Sequence, residues 1–159
     1  MLLYHGSNVA VETPQILNSD RKLDFGSGFY LTSSYEQAER WAILTTKRRG
    51  SGSPAITVYE VDETAMKEVN VHQFDQAGYE WLRYVSGNRK NIERNDGFDI
   101  VVGPVANDRT MPVISLYFAG IYDEEETIKR LLPQKLRDQY VFKTEKALSI
   151  LTVKEVILK

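Results

Sequence analysis

Three short segments carry the residue types that chemistry needs. Tyr4-His5-Gly6-Ser7 sets an imidazole and a hydroxyl on either side of a glycine. Gly26-Ser27-Gly28-Phe29-Tyr30-Leu31-Thr32-Ser33 places two glycines before an aromatic pair and a run of hydroxyls. Asp138-Gln139-Tyr140-Val141-Phe142 puts a carboxylate and an amide at the mouth of an apolar run. A histidine serves as acid, base or hydrogen-bonding group near neutral pH. A glutamine carbonyl can orient a hydroxyl but supplies no charge. Each segment also has a plain reading. A lone histidine is more often a structural hydrogen-bonding residue, Gly-x-Gly before a strand is usually a tight turn, and a glutamine at a strand mouth is ordinarily solvated. The glycines are not a dinucleotide fingerprint, because no Gly-x-Gly-x-x-Gly opens a helix here.

The elements that must position these segments alternate along the chain. Leu2-Leu3-Tyr4 and Phe29-Tyr30-Leu31 read as short strands. Ser33 and Ser34 stand three residues before Glu36 and Gln37, the capping-box spacing, and Ala38, Trp41, Ala42 and Thr45 follow at helical intervals. Arg48-Arg49-Gly50-Ser51-Gly52-Ser53-Pro54 reads as a linker-like loop. Ala55–Val61 is β-branched and alternating, hence a strand. Asp75 caps an expected helix whose face is Ala77, Trp81 and Tyr84/Val85. Asp99–Val102 is a strand stopped by Gly103-Pro104. Thr110–Ile121 is a helix with Pro112 in its first turn. Asp123–Leu132 is a surface helix, acidic at its start and basic at its end. Tyr140–Phe142 is a strand, Thr144–Ser149 a short helix or turn, and Leu151–Leu158 a final strand with Val153, Glu155 and Ile157 on one face. The mixture predicts an α+β fold, with residues 1–159 as one domain.

Composition removes several function classes. The 159 residues carry 20 Lys+Arg against 22 Asp+Glu, a net charge of −2, so sequence-independent coating of DNA is not expected, although a local contact to nucleic acid stays open. The absence of cysteine removes disulfide scaffolds, thiolate metal sites and a cysteine nucleophile. Two histidines, His5 and His72, are too few and too distant for a histidine metal centre, and no metal is expected. The start lacks the basic region of a signal peptide, and no segment approaches the roughly 18–20 apolar residues that span a bilayer. The expectation is a cytoplasmic chain without membrane contact; one delivered into another cell without a cleavable leader would read the same way.

In their order, the three segments resemble the ADP-ribosyltransferase superfamily, in the histidine–tyrosine branch of diphtheria toxin and the poly(ADP-ribose) polymerases. LLYHGS is similar to the branch's first strand, FGSGFYLTSS to its Gly-x-Gly-hydrophobic-Tyr strand and serine-rich helix start, and DQYVF to its late Glu-Tyr strand, with Gln139 at the usual glutamate. The resemblance covers about the first 45 and last 25 residues. It implies two packed, curved, mostly antiparallel sheets with helices around them and a cleft for NAD+ as co-substrate. It implies a His5–Tyr30–Gln139 signature. His5 would bond a ribose hydroxyl, the Gly6 main chain would hold the nicotinamide carboxamide, and Ser7 would touch the ribose or phosphate side. Gly26 and Gly28 would bend the chain so that Tyr30 stacks on nicotinamide, and Ser33 would meet the carboxamide or cap the helix, Ser34 being the better cap. Arg21, with Lys22, lies where the family binds adenine and pyrophosphate, an exposed loop charge being an equal reading.

The implied activity is mono-ADP-ribosyl transfer from NAD+ to a macromolecular acceptor, a protein in first place, with release of nicotinamide. An acidic group holding the ribose 2′-hydroxyl would stabilise the oxocarbenium-like transition state. Gln139 is neutral, and Asp138 points to the opposite face of a strand. Polymer elongation is therefore not expected, and Arg137-Asp138-Gln139 departs from the Glu-x-Glu or Gln-x-Glu of arginine-directed members. Two alternatives stand beside transfer: a non-catalytic NAD or ADP-ribose-binding module, and an NAD glycohydrolase. A bacterial toxin with a small cognate antitoxin is the biological role the resemblance implies. Trp41 reads first as core packing and second as a nicotinamide wall. His72 reads as structural. Asn107 and Asp108 follow a strand in a polar turn, with acceptor or ribose contact as the functional alternative.

Overall fold

A computed structural model describes residues 1–16, 23–90, 96–107 and 109–159. Arg21, Lys22 and Asp108 lie outside the described residues. The fold is α+β. Strand β1 (Leu2–Ser7) is followed by β2 (Phe29–Leu31) and α1 (Tyr35–Arg49), then β3 (Ala55–Val61), α2 (Glu63–Met66), β4 (Val71–Gln73) and α3 (Tyr79–Lys90). After these come β5 (Ile100–Pro104), α4 (Met111–Phe118), α5 (Glu124–Leu131), β6 (Asp138–Phe142), α6 (Glu145–Leu148) and β7 (Leu151–Leu158). One sheet has the order β1-β3-β7 and is antiparallel; the other has the order β2-β6-β5-β4, with only β4 and β5 parallel.

The period-2 alternation of the strands decides how the layers stack. In β5, Ile100 and Val102 join Leu3, Phe29, Leu31, Tyr59 and Phe142 in a cluster built from both sheets, so the sheets pack face to face there. Val101, between them, faces the other way into a cluster with Trp81, Leu82, Val85, Ile114 and Leu131 from the helices. On the outer face of the first sheet, Ala38 of α1 packs on Ile56 and Val58. The order of layers is α1, first sheet, second sheet, then α3 to α5.

Local chemistry explains most boundaries. Ser34 caps α1, its Oγ accepting from the Gln37 N–H, and Asp123 caps α5 in the same way from Glu126. Helix α1 runs past the expected end, through Arg48 and Arg49, and stops at Gly50 in the left-handed region, φ 66°. The expected loop over 48–54 therefore begins at Gly50. The cap expected at Asp75 is not formed: α3 starts at Tyr79, four residues on. Pro112 does lie in the first turn of α4. Strand β4 and helix α2 had no counterpart in the sequence pattern. The expected alternation of β7 is interrupted, because the register shifts where Val58 faces Glu155 and Tyr59 faces Val153.

The two sheets touch at one more place. Tyr4 and Thr32 exchange N–H···O=C bonds of 2.8 and 3.0 Å, an isolated bridge between β1 and β2. Beyond it α1 presses on β1: a Cβ at Gly6 would stand 1.9 Å from the Ala38 carbonyl oxygen and 2.9 Å from the Ala42 nitrogen. Helix backbone cannot yield to such a clash. Gly6→Ala is expected to destabilise the fold by about 3 kcal/mol or more, at the upper end for overpacking; urea unfolding measures it, and a change below about 1 kcal/mol would mean that the helix does not sit on Gly6.

Candidate functional site

Where β1 and β2 part, a cavity of about 690 Å³ opens, bounded by the end of β1, the 9–15 loop, β2 and the C-terminal half of α1. That volume lies within the range of small-molecule sites. Its walls include His5, Gly6, Ser7, Gly28, Tyr30 and Trp41, six of the residues singled out in the sequence. The structure thus brings the first two motifs together although about 20 residues separate them.

His5 is fixed from two sides. Its ring stacks on Phe29, centroids 4.2 Å apart, and its Nδ1 lies 2.7 Å from the Tyr30 carbonyl oxygen. A carbonyl only accepts, so Nδ1 carries the proton and Nε2 of the neutral ring is an acceptor. Burial pushes the imidazole down to about 4; the bond to Tyr30 opposes this and the charge of Arg49 adds to it. His5 at neutral pH is therefore an uncharged hydrogen-bonding group.

Gly6 has two roles. Its missing side chain admits α1, as shown above. It lies two residues after Tyr4, and main-chain groups repeat their direction every two residues, so its N–H and C=O turn to the same edge of β1 as those of Tyr4. At Tyr4 that edge is bonded to Thr32, and no described residue pairs with Gly6 there. An N–H and a C=O side by side on the wall of a cavity match a primary amide, which needs one acceptor and one donor.

Tyr30 is held by its hydroxyl. It donates to the Gly26 carbonyl at 2.7 Å and accepts from the Phe25 N–H at 3.0 Å, and burial pushes its pKa well above the ordinary phenol value. Gly26 adopts φ 79°, so the turn that receives the hydroxyl favours glycine. Gly28 is needed for packing: a Cβ would stand 2.6 Å from Val141 Cγ1. Trp41 belongs to none of the buried clusters and lines the cavity, so it is not the core-packing residue that its spacing first suggests. Ser7 Oγ donates to Asn8 Oδ1 at 3.3 Å.

Other expected residues sit elsewhere. Gln139 is 2% exposed, does not line the cavity, and donates its Nε2 to the Pro104 carbonyl at 3.3 Å. It shares the helix-facing side of the second sheet with Val141 and Tyr30, two residues along β6 from the Tyr30–Val141 pair. Asp138 points the other way, as expected, and accepts from the Thr32 hydroxyl, the Ser33 N–H and the Ser33 hydroxyl. Ser33 is thereby bonded at the start of α1 and is not on the cavity wall. Asn107 Oδ1 accepts from the Arg109 and Thr110 N–H groups at 3.0 Å, an Asx turn opening α4. His72 stacks on Phe98 at 4.7 Å and meets Phe74 edge-on, a structural role.

Sequence reasoning missed the cations. Arg48 and Arg49 line the cavity, and Arg49 Nη1 donates to Asn8 Oδ1 at 2.9 Å. The signal was present in spacing: Trp41, Thr45 and Arg48/Arg49 recur at one helical face once α1 is extended to Gly50. Among the described residues no group of three or more histidine or carboxylate side chains gathers as a metal site, and no helix is long and apolar enough to cross a membrane.

The fold and the cavity define an α+β protein with a single-bridged pair of sheets and, where they part, a pocket with two arginines on its wall. The chain belongs to the DUF3990 family, described as a protein of unknown function (DUF3990), whose profile matches residues 1–153. No curated protein and no solved structure matches it.

The His5 environment has a pH consequence. An imidazole held neutral in the fold, at about 4 against 6.5 unfolded, contributes stability that is full above pH 6.5 and is lost as pH falls toward 4. The loss attributable to His5 is at most about 3 kcal/mol. His5→Asn keeps a donor for the Tyr30 carbonyl and removes the titration. Urea unfolding at pH 7 to 4.5 should show the wild type losing more stability than the variant; parallel curves would show that His5 is not held neutral.

Proposed function

We propose that the chain is an NAD+-dependent mono-ADP-ribosyltransferase. The observation that carries the reading is that His5, Gly6, Ser7, Tyr30 and Trp41, drawn from separate segments, wall one cavity. Two packed sheets parting at one end, with a helix outside the first, agree with the transferase fold that the motifs resemble. The nicotinamide carboxamide bonds the Gly6 N–H and C=O. Its cationic ring lies against the faces of Tyr30 and Trp41, an arrangement that quadrupole attraction favours. The anchored Tyr30 hydroxyl keeps that ring in place, so stacking costs little side-chain entropy. His5 Nε2 accepts from a ribose hydroxyl.

In the reaction the bond between ribose C1′ and the nicotinamide nitrogen breaks, and nicotinamide leaves as a neutral molecule with the electron pair. An anionic heteroatom of the acceptor, such as a carboxylate oxygen, bonds to C1′, so that no proton is released. Among the described residues no carboxylate lines the cavity to meet the charge that develops on the ribose. The acceptor itself supplies that charge in this reading, which makes an anionic nucleophile on a macromolecule, a protein in first place, the favoured acceptor; the setting of a bacterial toxin with a cognate antitoxin rests on the resemblance of the motifs alone.

The buried, main-chain-bonded Gln139 supports a second reading, a pocket that binds NAD+ or ADP-ribose without turnover. Nicotinamide release from NAD+, with and without cell lysate, separates the two. Transfer predicts lysate-dependent release that His5→Ala and Tyr30→Ala each lower at least about tenfold, the effect expected on losing one strong ligand contact. Release without lysate points to an NAD glycohydrolase. No release, with NAD+ still raising the Tm, leaves the binding module. For the toxin role, induced wild type should slow bacterial growth and His5→Ala should relieve it; equal growth of both cultures removes that role.

A further inference from the structure

One wall of the cavity is a segment without regular secondary structure. Val9, Val11, Thr13 and Gln15 line it, alternate residues of the chain that follows β1. The main chain of Val11 is held from β3, a strand that contributes nothing to the cavity wall. Its N–H donates to Thr57 Oγ1 at 3.0 Å, and its carbonyl accepts from the Tyr59 hydroxyl. Thr57 and Tyr59 stand two residues apart on β3, so they project from the same face of the sheet. Both are fully buried. A valine would fill the space of Thr57 equally well, and the hydroxyl is the part that meets Val11. Thr57 lies opposite His5 in the β1–β3 ladder, so the hydroxyl that takes the Val11 N–H is a cross-strand neighbour of the imidazole. The Tyr59 ring meets Phe29 edge-on, centroids 5.8 Å apart, and Phe29 carries the His5 ring on its face. Burial, with a smaller contribution from the charge of Glu12, pushes the Tyr59 pKa above the ordinary phenol value, so the hydroxyl stays a donor at neutral pH.

We propose that Thr57 and Tyr59 are positioning residues: their hydroxyls hold the 9–15 segment in place as a wall of the cavity and so set how tightly the cavity closes on its ligand. This rests on the reading of the cavity as an NAD+ site, in which neither residue touches the ligand. Backbone at the margin of a cavity has two sets of hydrogen-bond partners to choose from, protein and water. The two hydroxyls take the N–H and the C=O of one residue, so a shift of Val11 breaks both bonds together. The Val11 side chain is seated against the cluster between the sheets, which fixes the segment from below. Once released, the segment exchanges its partners for water, and the cavity loses a wall but no group that bonds the ligand. Such a loss weakens ground state and transition state alike, so it appears in KM and leaves kcat unchanged. Plain satisfaction of a buried loop predicts a fall in stability and nothing more.

Three variants of the full chain test it. Thr57→Val removes one hydroxyl at nearly constant volume, Tyr59→Phe removes the other and keeps the ring against Phe29, and Thr57→Ser keeps the hydroxyl. The measurements are thermal melting, hydrogen–deuterium exchange over residues 8–16, calorimetric titration with NAD+, and the kinetics of nicotinamide release. Thr57→Val and Tyr59→Phe are expected to speed exchange in the segment at least about threefold and to raise Kd and KM for NAD+ about two- to tenfold, the range for one hydrogen bond. Their kcat should stay within about twofold of wild type, and Thr57→Ser should match wild type throughout. If Thr57→Val does not fold, Tyr59→Phe decides alone. Unchanged exchange overturns the inference. So does faster exchange or a lower Tm with NAD+ affinity unchanged, a fall in kcat at constant KM, or Thr57→Ser behaving as Thr57→Val does. Nicotinamide release separates this inference from the reading beneath it. Hydroxyl-dependent NAD+ binding without release by the wild type retains the positioning role and removes the transferase. Release by Thr57→Val and Tyr59→Phe at the wild-type KM retains the transferase and removes the positioning role. A wild type that binds no NAD+ removes both.

Discussion

The site depends on a single bridge. Tyr4 and Thr32 join the two sheets by one pair of main-chain bonds, and after that pair the strands separate. Had β2 continued along β1, Gly6 would have spent its N–H and C=O on the ladder and no cavity would exist. What prevents this is steric as well as topological. The chain leaves β2 through Thr32 and Ser33, is bonded there by Asp138, and turns at once into α1. That helix then returns across β1 at contact distance, which only a glycine at position 6 permits. The same residue therefore admits the helix with one side and offers hydrogen-bonding groups with its edge.

The rigidity of Tyr30 has a source farther away. Its hydroxyl bonds to the turn at Phe25-Gly26, and that turn is tied to three other places. Asn88 of α3 donates to the Asp24 carbonyl, Arg89 pairs with the Asp24 carboxylate at 2.5 Å, and Lys143 donates to the Phe25 carbonyl at 2.9 Å. Lys143 is itself buried against Asp96 at 2.8 Å and against the Tyr84 hydroxyl. Burial pushes the Asp96 carboxyl up, but the bonds from Lys143 and Tyr84 outweigh it and hold the group ionised. A buried ion pair of this kind adds little net stability, because desolvation offsets most of the attraction. Its effect is geometric: it allows one arrangement of the turn, and through the turn one position of the Tyr30 ring.

What the sequence made legible was local. Ser34 announced the start of α1 because its hydroxyl meets the N–H three residues on, and the β-branched run at 55–61 formed the central strand of its sheet. What it concealed was set by distant partners. Strand β4 has three residues, one of them His72, and exists because β5 pairs with it. Arg48 and Arg49 looked like part of a Gly/Ser loop by composition, whereas the helix continues until a residue able to take a positive φ appears. Trp41 has the spacing of a core residue, and its face of α1 is turned to the cavity only because Gly6 fixes how the helix lies. In the site, the motifs of β1 and β2 meet at the cavity, while Asn107 takes the turn reading of the two it was given and Ser33 bonds at the start of α1 rather than on the cavity wall.

The distribution of charge bears on chemistry more than the list of side chains does. A site that breaks a glycosidic bond by stabilising a cationic ribose would be expected to carry a carboxylate near the sugar. Here the position that resembles that carboxylate is an amide, bonded to the Pro104 carbonyl behind Tyr30, and the described charges at the cavity are both cationic. Cations on the α1 side of the cavity do not supply the negative charge that such a transition state needs. On the proposed transferase reading, the arrangement therefore lacks the charge that would favour the transition state over the ground state. An enzyme so built gains rate only when the second reactant brings the missing negative charge with it. Selectivity for the acceptor would then reside in the chemical step rather than in a separate recognition surface.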